Sequence, residues 1–229
     1  LWSRGLGDVY KRQGAQTVVG FATGISKGAT NESSQALTFT VTTDDDAAFA
    51  VLPTITAAGD LAYTLADNYN GTVTITATLS DDGGTTNSGV DTSTAQTFTI
   101  TATPVVDAQL VIEGAASTLE DTQSAVITIA KAAVDGAEVT HFKVTGITNG
   151  TLYQADGTTP IANNDFITAV QATAGLKFTP SADYNGVSDT IFSVQGSLDG
   201  TTVGSEDVTP VALAVTAVND VPAFTVGAD

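Results

Sequence analysis

Apolar and polar residues alternate with a period of two through much of the chain, the spacing of a strand with one buried face. In "TVTITATL" (72–79), Val73, Ile75, Ala77 and Leu79 share one face and threonines fill the other. "TFTITAT" (97–103) repeats the pattern with Phe98, Ile100 and Ala102, and "LTFTVTT" (37–43) with Leu37, Phe39 and Val41. "GLKFTP" (175–180) and "VALAVTAV" (211–218) read as two further strands. Thr and Val are β-branched and suit a pleated, half-buried surface. No stretch shows a helical period with caps. Asn70-Gly71, Asp82-Gly83-Gly84, Asn149-Gly150, Asn185-Gly186 and Asp199-Gly200 punctuate the runs as turns. Short strands separated this way predict an all-β sandwich architecture.

An internal repeat sets the number of sandwiches. "LAYTLADNYNGTVTITATLSDDGG" (61–84) matches "LKFTPSADYNGVSDTIFSVQGSLDG" (176–200), with Tyr69 and Tyr184 115 residues apart. "TATPVVDAQ" (101–109) matches "VTAVNDVPA" (215–223), with Asp107 and Asp220 113 residues apart. A period near that length is one immunoglobulin-like (Ig-like) sandwich, with strands A to G, so two tandem Greek-key sandwiches are expected. Tyr69 and Tyr184 stand just before strand F, where a tyrosine corner is expected to bond the backbone.

Charge narrows the function. The 229 residues carry 25 acids and 7 bases, a net charge of −18. Such a surface repels nucleic acid and anionic membranes, so neither is an expected partner. It attracts divalent cations, although adaptation to salty water gives the same composition. With 42% apolar residues the chain is not of the disordered type. There is no Cys, which excludes disulfides, thiol catalysis and Cys-based zinc sites. The single His, His141, expected at the surface or a sheet edge, leaves little scope for a catalytic triad. Carboxylate pairs occur without a cleft-forming insertion or aromatic sugar platform, so no enzyme is expected.

The opening "LWSRGLGDVYKRQ" holds the only Trp and three of the seven bases, and fits nothing after it. It lacks the apolar core and cleavage site of a signal peptide. "SRGLGDVYKRQ" resembles the translation of a transposase sequencing adapter. Residues 1–13 are therefore read as a non-native tag on a fragment of a longer, shotgun-sequenced gene product.

"FTPSADYNG", "LEDTQSAVITI" and "VTAVNDVP" resemble the bacterial cadherin-like tandem repeats of large surface and secreted adhesins, a likeness that covers nearly all of 14–229. It implies Ig-like sandwiches strung end to end, often with calcium at the joints, outside the cell or on the bacterial surface. On this reading 14–107 is a repeat lacking its first strand, 108–220 a complete repeat and 221–229 the start of a third. "GAQTVVGF" (14–21) aligns with "TQSAVITI" (122–129), and the truncated first repeat is expected to be the weaker half.

Ig strand order then places the acids. Asp44, Asp45, Asp46, Asp67 and Asp107 fall at the lower end of the first repeat. Asp135, Glu138 and Asp199 fall at the upper end of the second, and Glu120, Asp121, Asp183, Asn219 and Asp220 at its lower end. Calcium takes 6–8 oxygen ligands and would turn repulsion between acidic ends into a clamp. The resemblance singles out Glu120, Asn219 and Asp220 as the family's calcium pattern. The first joint departs from it, with Val106 in place of Asn and Gln109 in place of Pro. The candidate metal residues are thus Asp67, Asp107, Asp135 and Glu138 at one joint, and Glu120, Asp121, Asp183, Asn219 and Asp220 at the next. The alternative for all of them is a turn-forming, solvated acid. The resulting expectation is a spacer or adhesion module of a long exported bacterial protein. Its partners would be neighbouring repeats of its own chain and an unidentified surface receptor or matrix. The alternatives are a ligand-binding module that uses the F–G loops for glycan or protein, and a plain calcium-independent spacer.

Overall fold

The computed structural model describes residues 9–10, 14–108, 110–204 and 208–225. Gln109, residues 205–207 of the second F–G loop, residues 226–229 and the rest of residues 1–13 lie outside the described residues, as do the side chains of Val9 and Tyr10. Two compact units divide the chain, Leu1–Pro104 and Val105–Asp229. Both are Ig-like β-sandwiches.

Unit 1 contains β1 (Val9–Tyr10), β2 (Gln16–Val18), β3 (Leu37–Thr43), β4 (Phe49–Ile55), β5 (Leu61–Leu65), β6 (Gly71–Asp81) and β7 (Gln96–Thr103). One sheet has the order β1-β7-β6-β3 and the other β2-β5-β4. The period-two reading is realised in the core. Val73, Ile75, Ala77, Ile100 and Ala102 are buried against Leu61, Tyr63 and Leu65 of the facing sheet. Leu37, Phe39 and Val41 are only half-buried, because β3 is the sheet edge. The threonines turn outward, and the Thr72 and Thr101 hydroxyls meet across β6 and β7 at 2.9 Å.

Unit 2 contains β8 (Val111–Gly114), β9 (Ser117–Leu119), β10 (Ile127–Ala130), β11 (His141–Thr145), β12 (Gly150–Gln154), β13 (Pro160–Ile161) and β14 (Phe166–Thr168). A short helix, α1 (Ala169–Ala174), follows, then β15 (Leu176–Pro180), β16 (Gly186–Ser197) and β17 (Thr209–Thr216). The sheets have the orders β13-β12-β15-β10-β8 and β14-β11-β16-β17-β9. Phe142, Phe178 and Phe192, from β11, β15 and β16, are fully buried between them.

Three features differ from the sequence reading. α1 was not expected, yet it carries a capping signature. Thr168 is the N-cap, its hydroxyl accepts from Gln171 N at 3.1 Å, and Gln171 Oε1 accepts from Thr168 N at 2.8 Å. At six residues the helix is too short for a 3.6 period to show. His141 opens β11 but is half-buried on an interior strand rather than at an edge, its ring under Gly200 and its Nδ1 2.8 Å from Thr140 Oγ1. The Tyr184 phenol donates to the Asp189 carboxylate, not to backbone, and that bond raises its pKa. Gly186 makes room for the pair: a Cβ there would lie 2.4 Å from Asp189 Oδ2 and 2.7 Å from the Tyr184 hydroxyl.

The first strand of unit 1 also differs. Val9–Tyr10, within the stretch 1–13 that the sequence reading takes as a tag, pairs in parallel with β7, Val9 opposite Ala102 and Tyr10 opposite Thr103. This is the place β9 takes in unit 2, where Ser117, Thr118 and Leu119 run parallel to Ala214, Val215 and Thr216. Unit 2 splits its first strand, with β8 on β10 and β9 on β17. Among the described residues of unit 1 only the second half has a counterpart. Register also aligns Val18, opposite Leu61, with Ile127, opposite Leu176. That is one residue off the match of 14–21 to 122–129.

Two hairpin turns are held by carboxylates. Asp156 accepts from Thr159 Oγ1 at 2.5 Å and from the amides of Thr159 and Thr158 at 2.9 Å. These bonds, the Thr159 hydroxyl foremost, lower its pKa from 3.8 to about 2. Asp199 is lowered likewise by the amides of Thr202 and Thr201. A depressed folded-state pKa adds stability that is present above the unfolded value and is lost as pH falls through the folded one. The stability gap between wild type and Asp156→Asn is therefore expected to be constant from pH 7 to 5 and to close between about pH 4 and 2. Urea titrations of both proteins across that range measure it.

Candidate metal centre

The loop between β10 and β11 brings its acids together by local rules. Lys131 ends the apolar run of β10, and "KAAVDGAE" (131–138) must turn back before β11. Asp135 N donates to Ala132 O at 3.0 Å, closing the first turn. Gly136 N then donates to Glu138 Oε1 at 2.8 Å, which folds the Glu138 carboxylate back on the loop. A Cβ at 136 would lie 2.5 Å from Glu138 Oε2, so a larger residue there would displace the end of that carboxylate. The Lys131 ammonium donates to Gly136 O.

Asp135 reaches out of this loop to the segment that enters the unit. Its Oδ1 accepts from Asp107 N at 2.6 Å. Carboxylate oxygens of Asp107, Asp135 and Glu138 lie within 4.8 Å of one another. Asp135 is 1% exposed, and its Oδ2 has no hydrogen-bond partner among the described residues. An ionised carboxylate in that position costs several kcal/mol unless a cation compensates it. Hard oxygen donors grouped this closely, with a buried acceptor still to satisfy, fit an oxygen-loving divalent ion such as calcium. Asp199 does not belong to the group; its carboxylate is taken by the Thr201 and Thr202 amides.

A second group lies on the loops at the other end of the strands of unit 2. Asp121, Asp183 and Asp220 place carboxylate oxygens within 4.8 Å of one another, all three exposed. Asp121 and Asp183 adopt positive φ, 57° and 58°, as turn residues do. Glu120 is buried at 4% exposure, and its Oε1 accepts from Val218 N. Its own amide donates to Thr216 O at 3.0 Å. Glu120 therefore ties the segment after β17 to the start of the β9–β10 turn rather than joining the three aspartates. Asn219 is exposed and donates from Nδ2 to Asp220 O at 3.2 Å.

Asp44 and Asp45 of unit 1 are used by backbone amides. Asp44 Oδ1 accepts from Thr74 N at 2.8 Å, and Asp45 caps a short 3₁₀ turn by accepting from Ala47 N at 3.1 Å. Asp67 sits exposed on the turn between β5 and β6. Tyr69 on that turn packs against the core, and burial raises its pKa, with Asp45 and Asp44 adding to the effect. Sequence reasoning had no signal for Lys131, whose role depends on a backbone carbonyl, nor for the depth at which Asp135 is buried.

Among the described residues no helix is long and apolar enough to cross a membrane. No protein-family model matches the chain, and no curated protein matches it. Among solved structures, the chain is similar to one described as zebrafish RET cadherin-like domains 1 to 4, with 9% identity and a TM-score of 0.35. The alignment covers 80% of this chain, which spans 41% of that one. At that score the likeness carries no argument, and the assignment of the fold rests on the strand topology.

Proposed function

We propose that the chain is a spacer or adhesion module of a long exported bacterial surface protein, two cadherin-like repeats that calcium stiffens. The observation that carries the reading is Asp135, buried to 1% exposure, its Oδ2 without a partner among the described residues, beside Asp107 and Glu138. Asp107 lies in the segment entering unit 2, before β8, and Asp135 and Glu138 in a loop of the same unit. An ion shared by the three would fix that segment to the body of the repeat, which is what stiffening an array requires. The exposed Asp121, Asp183 and Asp220, with Glu120 and Asn219 nearby, would serve the same purpose at the following joint. Low calcium inside the cell would leave the chain loose for export, and millimolar calcium outside would favour folding by mass action. The work is mechanical; no residue is assigned to catalysis.

Small-angle scattering and limited proteolysis of the whole chain, in EDTA and in millimolar calcium, test this reading. The expected result is a narrower distribution of dimensions with calcium, and slower cleavage near residues 104–110. Dimensions and cleavage that do not respond to calcium would leave a plain spacer.

A further inference from the structure

We infer that Lys131 is a built-in competitor for the cation at Asp107, Asp135 and Glu138, and that it sets how weakly that site binds. The inference rests on the metal-site reading above. The Lys131 ammonium donates to Gly136 O, while the amide of the same residue donates to Glu138 Oε1 at 2.8 Å. One peptide residue thus spans the cation and the carboxylate, and ordinary bond lengths keep the two within about 9 Å. That distance is close to the screening length of physiological salt, about 8 Å, so the charges still act on each other.

Lys131 is one of four Lys or Arg residues after residue 13, in a chain that carries 25 acids. The other three are Lys27, Lys143 and Lys177. Lys27 bonds Ser33 O in unit 1, and Lys143 stands 5.8 Å from the Phe166 ring centroid. Lys177 is on β15, opposite Tyr153 on β12. Lys131 alone is hydrogen-bonded into the loop that carries the buried acid. It is half-buried and bonded to Gly136 O.

Two consequences have opposite signs. Without an ion, the ammonium offsets part of the charge of three clustered carboxylates and holds the loop closed through Gly136 O. With an ion, the same positive charge repels it. Lys131 therefore stabilises the ion-free loop and makes calcium binding weaker than the three carboxylates alone would give.

Calorimetric titration of the full chain with calcium chloride tests this, comparing wild type, Lys131→Met and Lys131→Arg. Lys131→Met is expected to bind about fivefold to tenfold more tightly than wild type, from Coulomb repulsion at this separation. The gain should shrink as sodium chloride is raised. Lys131→Arg keeps the charge and should stay within about twofold of wild type. In EDTA, Lys131→Met should melt lower than wild type, the reverse of its effect on affinity. A variant-free measurement reads the same claim: acetylation of Lys131, followed by mass spectrometry, should quicken when calcium is added. If wild type binds no calcium, the metal-site reading itself fails. If wild type binds and Lys131→Met binds equally or more weakly, or Lys131 acetylation does not quicken, the competitor role is overturned and the site stands.

Discussion

Asp135→Asn is expected to stabilise the protein in EDTA and to destabilise it relative to wild type in millimolar calcium. Asp135 Oδ2 is a buried oxygen without a hydrogen-bond partner among the described residues, on a residue 1% exposed. Asparagine keeps Oδ1 for the Asp107 amide and puts an NH2 donor where Oδ2 was, in a cluster that holds the Asp107 and Glu138 carboxylates. Removing a buried acceptor without a partner, whose charge Lys131 offsets only in part, gains about 1–3 kcal/mol. Calcium reverses the order. An ion at one hundred times its dissociation constant adds about 2.7 kcal/mol to wild type, and the variant loses most of that gain. Thermal melts of the two proteins should therefore cross, wild type below the variant in EDTA and above it in calcium. A variant that is destabilised in both conditions would mark Asp135 as a structural acid with no ion to hold.

Phe178→Ala is expected to lower the stability of unit 2 by about 3–5 kcal/mol, the largest effect of any single change considered. The ring is fully buried, on a strand paired with both β12 and β10. Its loss leaves a cavity that Phe142 and Phe192, equally buried, cannot fill without breaking their own packing. Unit 1 has its own core of Leu61, Ile75 and Ile100, and that transition should not move. Calorimetry of the variant should show one transition lowered by roughly 10 °C or more and the other unchanged. Phe224→Ala is the control, at 88% exposure, and should stay within about 0.5 kcal/mol of wild type. The same traces assign the transitions to units. The lower one is expected to be unit 1, whose core holds no fully buried phenylalanine.

Strand positions were the most legible part of the sequence. β3 occupies 37–43 as read, and β6 and β7 differ from the reading by a residue or two at their ends. Period-two alternation survives there because one face is core and the other solvent. The hairpin of β12 with β13, and β14 after it, are two to five residues long, too short for alternation to register. α1 was hidden for the same reason, although Thr168 and Gln171 stood at capping-box spacing. The split first strand of unit 2 depends on which partner each half finds, β10 or β17, a choice made by tertiary pairing.

The acids were legible by end of the sandwich and not by role. Strand order places Asp135 and Glu138 beside the segment of Asp107, and Asp121 and Asp183 beside Asp220. It does not distinguish a carboxylate used by backbone, as Glu120 and Asp44 are, from one that also keeps a buried oxygen without a partner among the described residues, as Asp135 does. That distinction lies in single hydrogen bonds, which spacing along a chain does not encode.

The most direct measurement of the central claim is the thermal unfolding of the whole chain in EDTA, in millimolar calcium, and in sodium chloride of matched ionic strength. A rise of several degrees in the unit 2 transition, saturating with calcium, absent with sodium and lost in Asp135→Asn, is the predicted result. Equal melting in all three solutions would contradict the account and leave the acids of unit 2 as solvated turn residues.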